Sequence, residues 1–184
     1  MQRFLAVLLF VFLAFLPVAG QAAQDDTRLP RLFAALKATQ SPGWGKAIER
    51  EIIRIWNQST DPQINELMEK GLTNMAEDKT EDALDAFNAL VKYAPNFAEG
   101  WAKRAMVEYL HGDYKASLAD IDRTLKLEPR HFDALSERGE IELAQGEKAL
   151  ALKAFNATLD IDPYYDDLPG KVESLKKELA GGPN

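Results

Sequence analysis

Pro95, Pro129 and Pro163 stand 34 residues apart, and the residues ahead of each proline fall into register. A large apolar residue opens each stretch at Leu67, Trp101 and Leu135, and a small one follows four positions later at Gly71, Ala105 and Gly139. Further along, Ala83, Ser117 and Ala151 align, then Phe87, Ile121 and Phe155, then Val91, Leu125 and Leu159. Spacings of three, four and seven put these residues on one face of a helix. Each stretch breaks once, at Asp78-Lys79, Gly112-Asp113 and Gly146-Glu147. A unit is therefore two helices of about 14 residues joined by a tight turn. Proline has no amide hydrogen and disfavours helical geometry in the residue before it, so it ends the second helix. The small residues let paired helices approach, and the aromatic ones fill the space beside the crossing. One hairpin cannot bury its apolar face alone, so neighbours must stack. The expected fold is all-α, a solenoid of antiparallel helix hairpins. Its repeated core is Trp101, Gly71, Gly139, Ala83, Ala151, Phe87 and Phe155, punctuated by Pro95, Pro129 and Pro163.

The period and the order of these residues resemble the tetratricopeptide repeat (TPR) family. Three units cover residues 64–97, 98–131 and 132–165; the middle one is the nearest match, with Trp101, the Gly112-Asp113-Tyr114 turn and Leu127-Glu128-Pro129. Upstream, residues 28–58 carry two apolar faces on either side of Ser41-Pro42-Gly43, a degenerate hairpin expected to cap the N-terminal end. Downstream, residues 168–180 hold Val172, Leu175 and Leu179 at helical spacing, a capping helix that stops at Gly181-Gly182-Pro183. Residues 98–105 and 117–132 are also similar to a subgroup of exported bacterial TPR proteins, which implies location and fold.

The first 22 residues read as a secretory signal: Arg3, an apolar run over 4–16, then Pro17, Gly20 and Ala22. The run is shorter than the roughly 20 residues of a membrane span. The expected location is the bacterial periplasm, with an uncleaved inner-membrane anchor as the alternative and membrane contact only through that segment. There is no cysteine, which removes disulfides, thiolate metal sites and cysteine nucleophiles. A net charge of −7 with no basic helix face argues against nucleic acid as a partner.

Sites for chemistry are sparse. His111 and His131 are the two histidines, and neither has a second at ligand spacing. His131 reads as a helix cap or as filler between hairpins. Asp160, Asp162, Asp166 and Asp167 lack the glycine-bearing loop of a calcium site and read as caps of the last helix. No phosphate loop or serine elbow is present, so the protein is expected to be no enzyme and to need no cofactor or metal. A metal-dependent or catalytic protein is the remote alternative.

Two features bear on binding. Arg104 with Glu108, and Arg138 with Glu142, are helical neighbours four apart where the TPR pattern is apolar; they are expected to form an ion-pair ladder that fixes hairpin register, with ligand binding as the alternative. The first helices of such hairpins line a concave face. There the alignment puts Met68, Leu72 and Met75, then Lys103, Met106, Tyr109 and Leu110, then Glu140. Flexible methionines suit the recognition of an apolar segment. TPR domains that clamp acidic tails carry Lys and Asn where this chain has Met68 and Leu72, so the resemblance does not extend to that role. The expected function is a protein–protein adaptor of the cell envelope, with a homodimer built on the concave face as the alternative.

Overall fold

The computed structural model describes residues 23–181, and the expected signal segment lies outside them. A short 3-10 helix, Ala23–Asp25, precedes nine α-helices among these residues: α1 (Leu29–Ala38), α2 (Pro42–Trp56), α3 (Pro62–Ala76), α4 (Thr80–Tyr93), α5 (Ala98–His111), α6 (Tyr114–Leu127), α7 (Phe132–Ala144), α8 (Lys148–Ile161) and α9 (Leu168–Ala180). The pairs α3/α4, α5/α6 and α7/α8 are the repeated hairpins; α4 packs on α5, α6 on α7, and α9 on α8. The fold is an all-α repeat solenoid.

The hairpins are set by size complementarity. A Cβ on Gly71 would sit 2.4 Å from Cε1 of Phe87, and one on Gly139 would sit 2.3 Å from Cε1 of Phe155. Repeats one and three pair glycine with phenylalanine. The middle repeat pairs Ala105 with the smaller Ile121, and both are fully buried. The crossing is thus filled in two ways, a small residue against a large one or two of intermediate size.

The turns repeat too. Gly112 and Gly146 have φ of +84° and +83°, and Asp78 takes φ +56° at the matching place. In each turn the next amide closes the helix end: Lys79 N to Asn74 O at 2.8 Å, Asp113 N to Glu108 O at 2.9 Å, Glu147 N to Glu142 O at 2.8 Å. This is the Schellman closure, in which a left-handed residue satisfies orphan carbonyls. Asp78 holds that conformation against a steric cost glycine does not have. Asp78→Gly is expected to raise stability by about 0.5–1 kcal/mol. Thermal melts check this, and an unchanged or lowered midpoint refutes it.

Four residues of the repeat signature lie outside the core. Trp101 is only half-buried. Its indole Nε1 donates to the Pro95 carbonyl at 3.0 Å, and the Arg104 and Arg123 guanidinium groups lie over its ring at 4.9 and 5.7 Å. It seals the outside of the stack instead of filling it. Pro95, Pro129 and Pro163 are exposed, two residues beyond the ends of α4, α6 and α8; they stop helices and add nothing to the core. The tryptophan of the core is Trp56, which is 1% exposed.

Trp56 belongs to the N-terminal hairpin, whose position also differs from the expectation. The apolar faces of α1 and α2 (Leu29, Phe33, Leu36, Ile52, Ile55, Trp56) meet Phe132, Ile161, Tyr164 and Tyr165 of the third repeat. The hairpin lies along the edge formed by the loops between repeats. Gln24 Nε2 donates to Asn96 O at 2.6 Å near the first loop, Trp56 stacks on His131 in the second, and Tyr164 Oη after α8 donates to Thr39 O at 2.7 Å. Gly45 makes room there, since a Cβ would lie 2.3 Å from the Tyr164 ring. At the other end, α9 buries Leu168, Val172 and Leu175 against Ala151 and Phe155, leaving Leu179 exposed.

Candidate functional site

A cavity of about 460 Å³ opens between α5 and α7 on the concave face. Helix α5 contributes Lys103, Met106, Tyr109 and Leu110, and α7 contributes Asp133, Glu137 and Glu140. Ile53 of α2 and Tyr165 after α8 close one end. Met106 is 42% exposed and Leu110 66% exposed, so the floor is apolar and open.

Five expected groove residues therefore meet around one cavity: Lys103, Met106, Tyr109, Leu110 and Glu140. The three from the first repeat do not line it. Met68 is buried in the core with Ile64, Phe87 and Phe97, and Met75 packs half-buried against the same cluster. Leu72 is exposed on α3, outside the cavity. In the first repeat both methionines join the apolar cluster of α3 and α4, to which Ala23 of the entering chain adds a further contact.

The polar walls of the cavity are tied together by hydrogen bonds and an ion pair. His131 caps α7, its Nδ1 accepting from the Ala134 amide at 3.3 Å. That leaves Nε2 to donate to Glu99 Oε2 at 2.9 Å. Lys103 Nζ binds the other oxygen of Glu99 at 2.9 Å. Burial works against the Glu99 charge, but Lys103 and then His131 outweigh it and hold its pKa at about 2. In return the Glu99 charge raises the pKa of Lys103. The His131 ring stacks on Trp56 at 4.3 Å and 6°, so the hairpin on the outer edge braces the groove wall.

Opposite these lies a different electrostatic setting. Glu137 accepts from Ser117 Oγ at 3.0 Å, and burial pushes its pKa up to about 7. Burial also raises Asp133, which is hydrogen-bonded by Tyr165. Glu140 is paired with Lys171 of α9. Sequence reasoning missed Glu99, Asp133 and Glu137. Glu99 and Lys103 are four apart on one helix, as are Asp133 and Glu137, so i, i+4 spacing was the available signal.

The ion-pair ladder is built differently from the expectation. Arg104 forms a two-pronged bond with Asp120 of α6, at 2.5 and 2.7 Å, and reaches Asn88 of α4 at 2.9 Å. The expected pair of Arg104 with Glu108 is present but looser, at 3.7 Å, and burial together with the Asp120 charge raises the Glu108 pKa to about 7. Arg138 pairs with Asp122 of α6, not with Glu142. These bonds join three successive hairpins, so they set register across helices instead of along one. The C-terminal acids differ as well. Asp166 binds Lys46 of α2 at 3.0 Å, Asp162 is buried, and no side chain caps α9.

A stack of helix hairpins with a fixed concave groove is the architecture of a helical-repeat binding scaffold. The chain matches the tetratricopeptide repeat family over residues 68–123 and 103–166, more than half its length, and it belongs to that family. It is 36% identical over 111 residues to a TPR repeat-containing protein of Rhizobium etli; the match covers 60% of this chain and 54% of that relative. The chain thus spans about half the length of the curated relative it matches. Among solved structures, it resembles the second TPR domain of human RPAP3 in complex with the HSP70 peptide SGPTIEEVD (TM-score 0.58, 21% identity, 62% of this chain and 96% of that one). It also resembles the Yersinia enterocolitica type III secretion chaperone SycD in complex with a peptide of the translocator YopD (TM-score 0.60, 16% identity, 66% and 95%). A third likeness is the Sgt2 TPR domain of Aspergillus fumigatus (TM-score 0.60, 18% identity, 65% and 81%). At these identities the likeness concerns the fold.

Proposed function

We propose that this protein is a non-catalytic adaptor that holds a protein segment in the groove between α5 and α7, working in the bacterial cell envelope after export. The observation that carries the reading is the open apolar floor of Met106 and Leu110 set between walls fixed by Glu99, His131 and Lys103. Apolar surface beside preset polar groups suits side-chain recognition, because little ordering is needed on binding. The peptide complexes of human RPAP3 and SycD support a peptide as the kind of occupant. Export is inferred from residues 1–22.

Met106→Asp with Leu110→Asp tests the groove, because both side chains are already exposed and the fold should tolerate the change. Cross-linked partner recovery from the periplasmic fraction is expected to fall at least about tenfold, the effect of losing a central apolar anchor, with helicity unchanged. Undiminished recovery removes the groove as the site. Fractionation with N-terminal sequencing tests export, and a cytoplasmic protein that retains Met1 overturns it.

A further inference from the structure

Asp133 and Glu137 stand one helical turn apart on α7, both on the cavity wall. Neither has an ion-pair partner among the described residues. The cations around them are already committed: Lys103 to Glu99, Lys171 to Glu140, Arg138 to Asp122, and Lys46 to Glu49 and Asp166. Both are half-buried and each has one neutral hydrogen-bond partner, Tyr165 for Asp133 and Ser117 for Glu137; carboxyl groups withdrawn from water ordinarily also find a partner charge. Across the cavity from them lie Met106 and Leu110, apolar and exposed. The groove thus offers an apolar half and an acidic half with no cation of its own to spare.

We infer that the groove takes a basic amphipathic segment, which sets apolar side chains on Met106 and Leu110 and delivers a lysine or arginine to Asp133 and Glu137. The inference rests on the groove reading above and adds the chemistry of the occupant. Charge complementarity of this kind decides between partners more than it adds raw affinity. An acidic segment is disfavoured, since above pH 7 it would bring like charge against two carboxyls that have no ion pair of their own. The HSP70 peptide held by human RPAP3 ends in EEVD, the opposite charge pattern.

Ligand charge is also linked to protons. Glu99, Lys103 and Tyr109 of α5, Ser117 of α6, His131 capping α7, Glu140 of α7 and Tyr165 after α8 face this pair. Burial holds the Glu137 proton to about pH 7, and an arriving cation favours its release. Affinity should therefore rise from pH 6 to pH 8.

The test uses two labelled helical peptides, one of leucine and lysine at amphipathic spacing and its twin with glutamate for lysine, titrated by fluorescence anisotropy. The lysine peptide is expected to bind about tenfold or more tightly than its twin at pH 8, and the margin should shrink several-fold at pH 6. Asp133→Asn with Glu137→Gln should bring the two peptides within about threefold, while the charge-matched control Asp85→Asn with Asp160→Asn leaves the preference intact. Equal loss in the control would reduce the effect to net charge and overturn the inference. So would a preference for the glutamate peptide. If both peptides bind equally, and Met106→Ser with Leu110→Ser weakens both, the groove stands and its charge selectivity is wrong. If neither binds, or the serine variant changes nothing, the groove reading fails with it.

Discussion

Trp56→Ala is expected to cost about 3–5 kcal/mol, the usual effect of truncating a large buried aromatic. The indole is 1% exposed and touches three rings: His131 at 4.3 Å, Phe132 at 4.9 Å and Phe33 at 5.9 Å. Its removal leaves a cavity at the seam between the N-terminal hairpin and the third repeat. It also strips the support from the His131 ring, and with it the Glu99–Lys103 wall of the groove. A domain of this size has a margin of only about 5–15 kcal/mol, so the loss is a large share. Trp101→Ala should cost less, about 1–2 kcal/mol, because Trp101 contributes one hydrogen bond and two cation–ring contacts at a wetter surface. Urea midpoints for the two variants decide the matter. Equal midpoints, or Trp101→Ala as the worse of the two, would contradict the assignment of the core.

The second large effect is expected at Asp162, fully buried at the end of α8 beside the buried Glu49 of α2. Burial pushes the Asp162 pKa from 3.8 up to about 6; the Glu49 charge adds to it, while the Tyr164 amide and Lys46 oppose it. Asp162 Oδ2 is buried without a hydrogen-bond donor, while Glu49 Oε2 lies 2.7 Å from Lys46 Nζ. The folded state keeps the Asp162 proton to higher pH than the unfolded chain does. The group's contribution is therefore fully present below about pH 3.8 and is lost as pH rises through about 6. Each pH unit between those values is worth about 1.4 kcal/mol, which sets a ceiling of about 3 kcal/mol at pH 8. Asp162→Asn keeps an acceptor for the Tyr164 amide, adds a donor facing Glu49 and removes the like charge. It is expected to stabilise the protein by about 1–3 kcal/mol at pH 8 and by much less at pH 4.5. Thermal melts at the two pH values check it. A variant less stable than wild type at pH 8 would show that the carboxylate is satisfied where it stands.

The repeats were legible because each rests on local physics written three times. Helical spacing gives the buried face, and glycine or aspartate at the turn gives the reversal. The glycine–phenylalanine contacts hold something sequence reading left unused. Gly71 with Phe87 and Gly139 with Phe155 join positions sixteen residues apart, which is the register of the hairpin. The same offset joins Arg104 to Asp120 and to Asn88, and Arg138 to Asp122. Looking four residues along one helix selected Glu108, which Arg104 reaches only at 3.7 Å, and Glu142, in whose place Arg138 takes Asp122; looking sixteen residues away, across the crossing, selects the closer partners. The placement of α1 and α2 had no such signal. Their periodicity says that Phe33, Ile52 and Trp56 are buried, but an apolar stripe does not say which surface covers it. Met68 shows the same ambiguity inside a repeat, since its alignment position is core in the first repeat and lines the cavity, as Ala102 and Ser136, in the other two.

The bond from Tyr164 to Thr39 spans 125 positions of chain and ties the opening of the described chain to the loop after the final repeat. Ordinary helical arrays grow or shrink by whole units, because each unit answers only to its neighbours. This one is bolted at both ends to a spacer of fixed length. Inserting or deleting a unit would leave the bolt without its hole, so three is a built-in count and the array cannot be treated as a modular ruler.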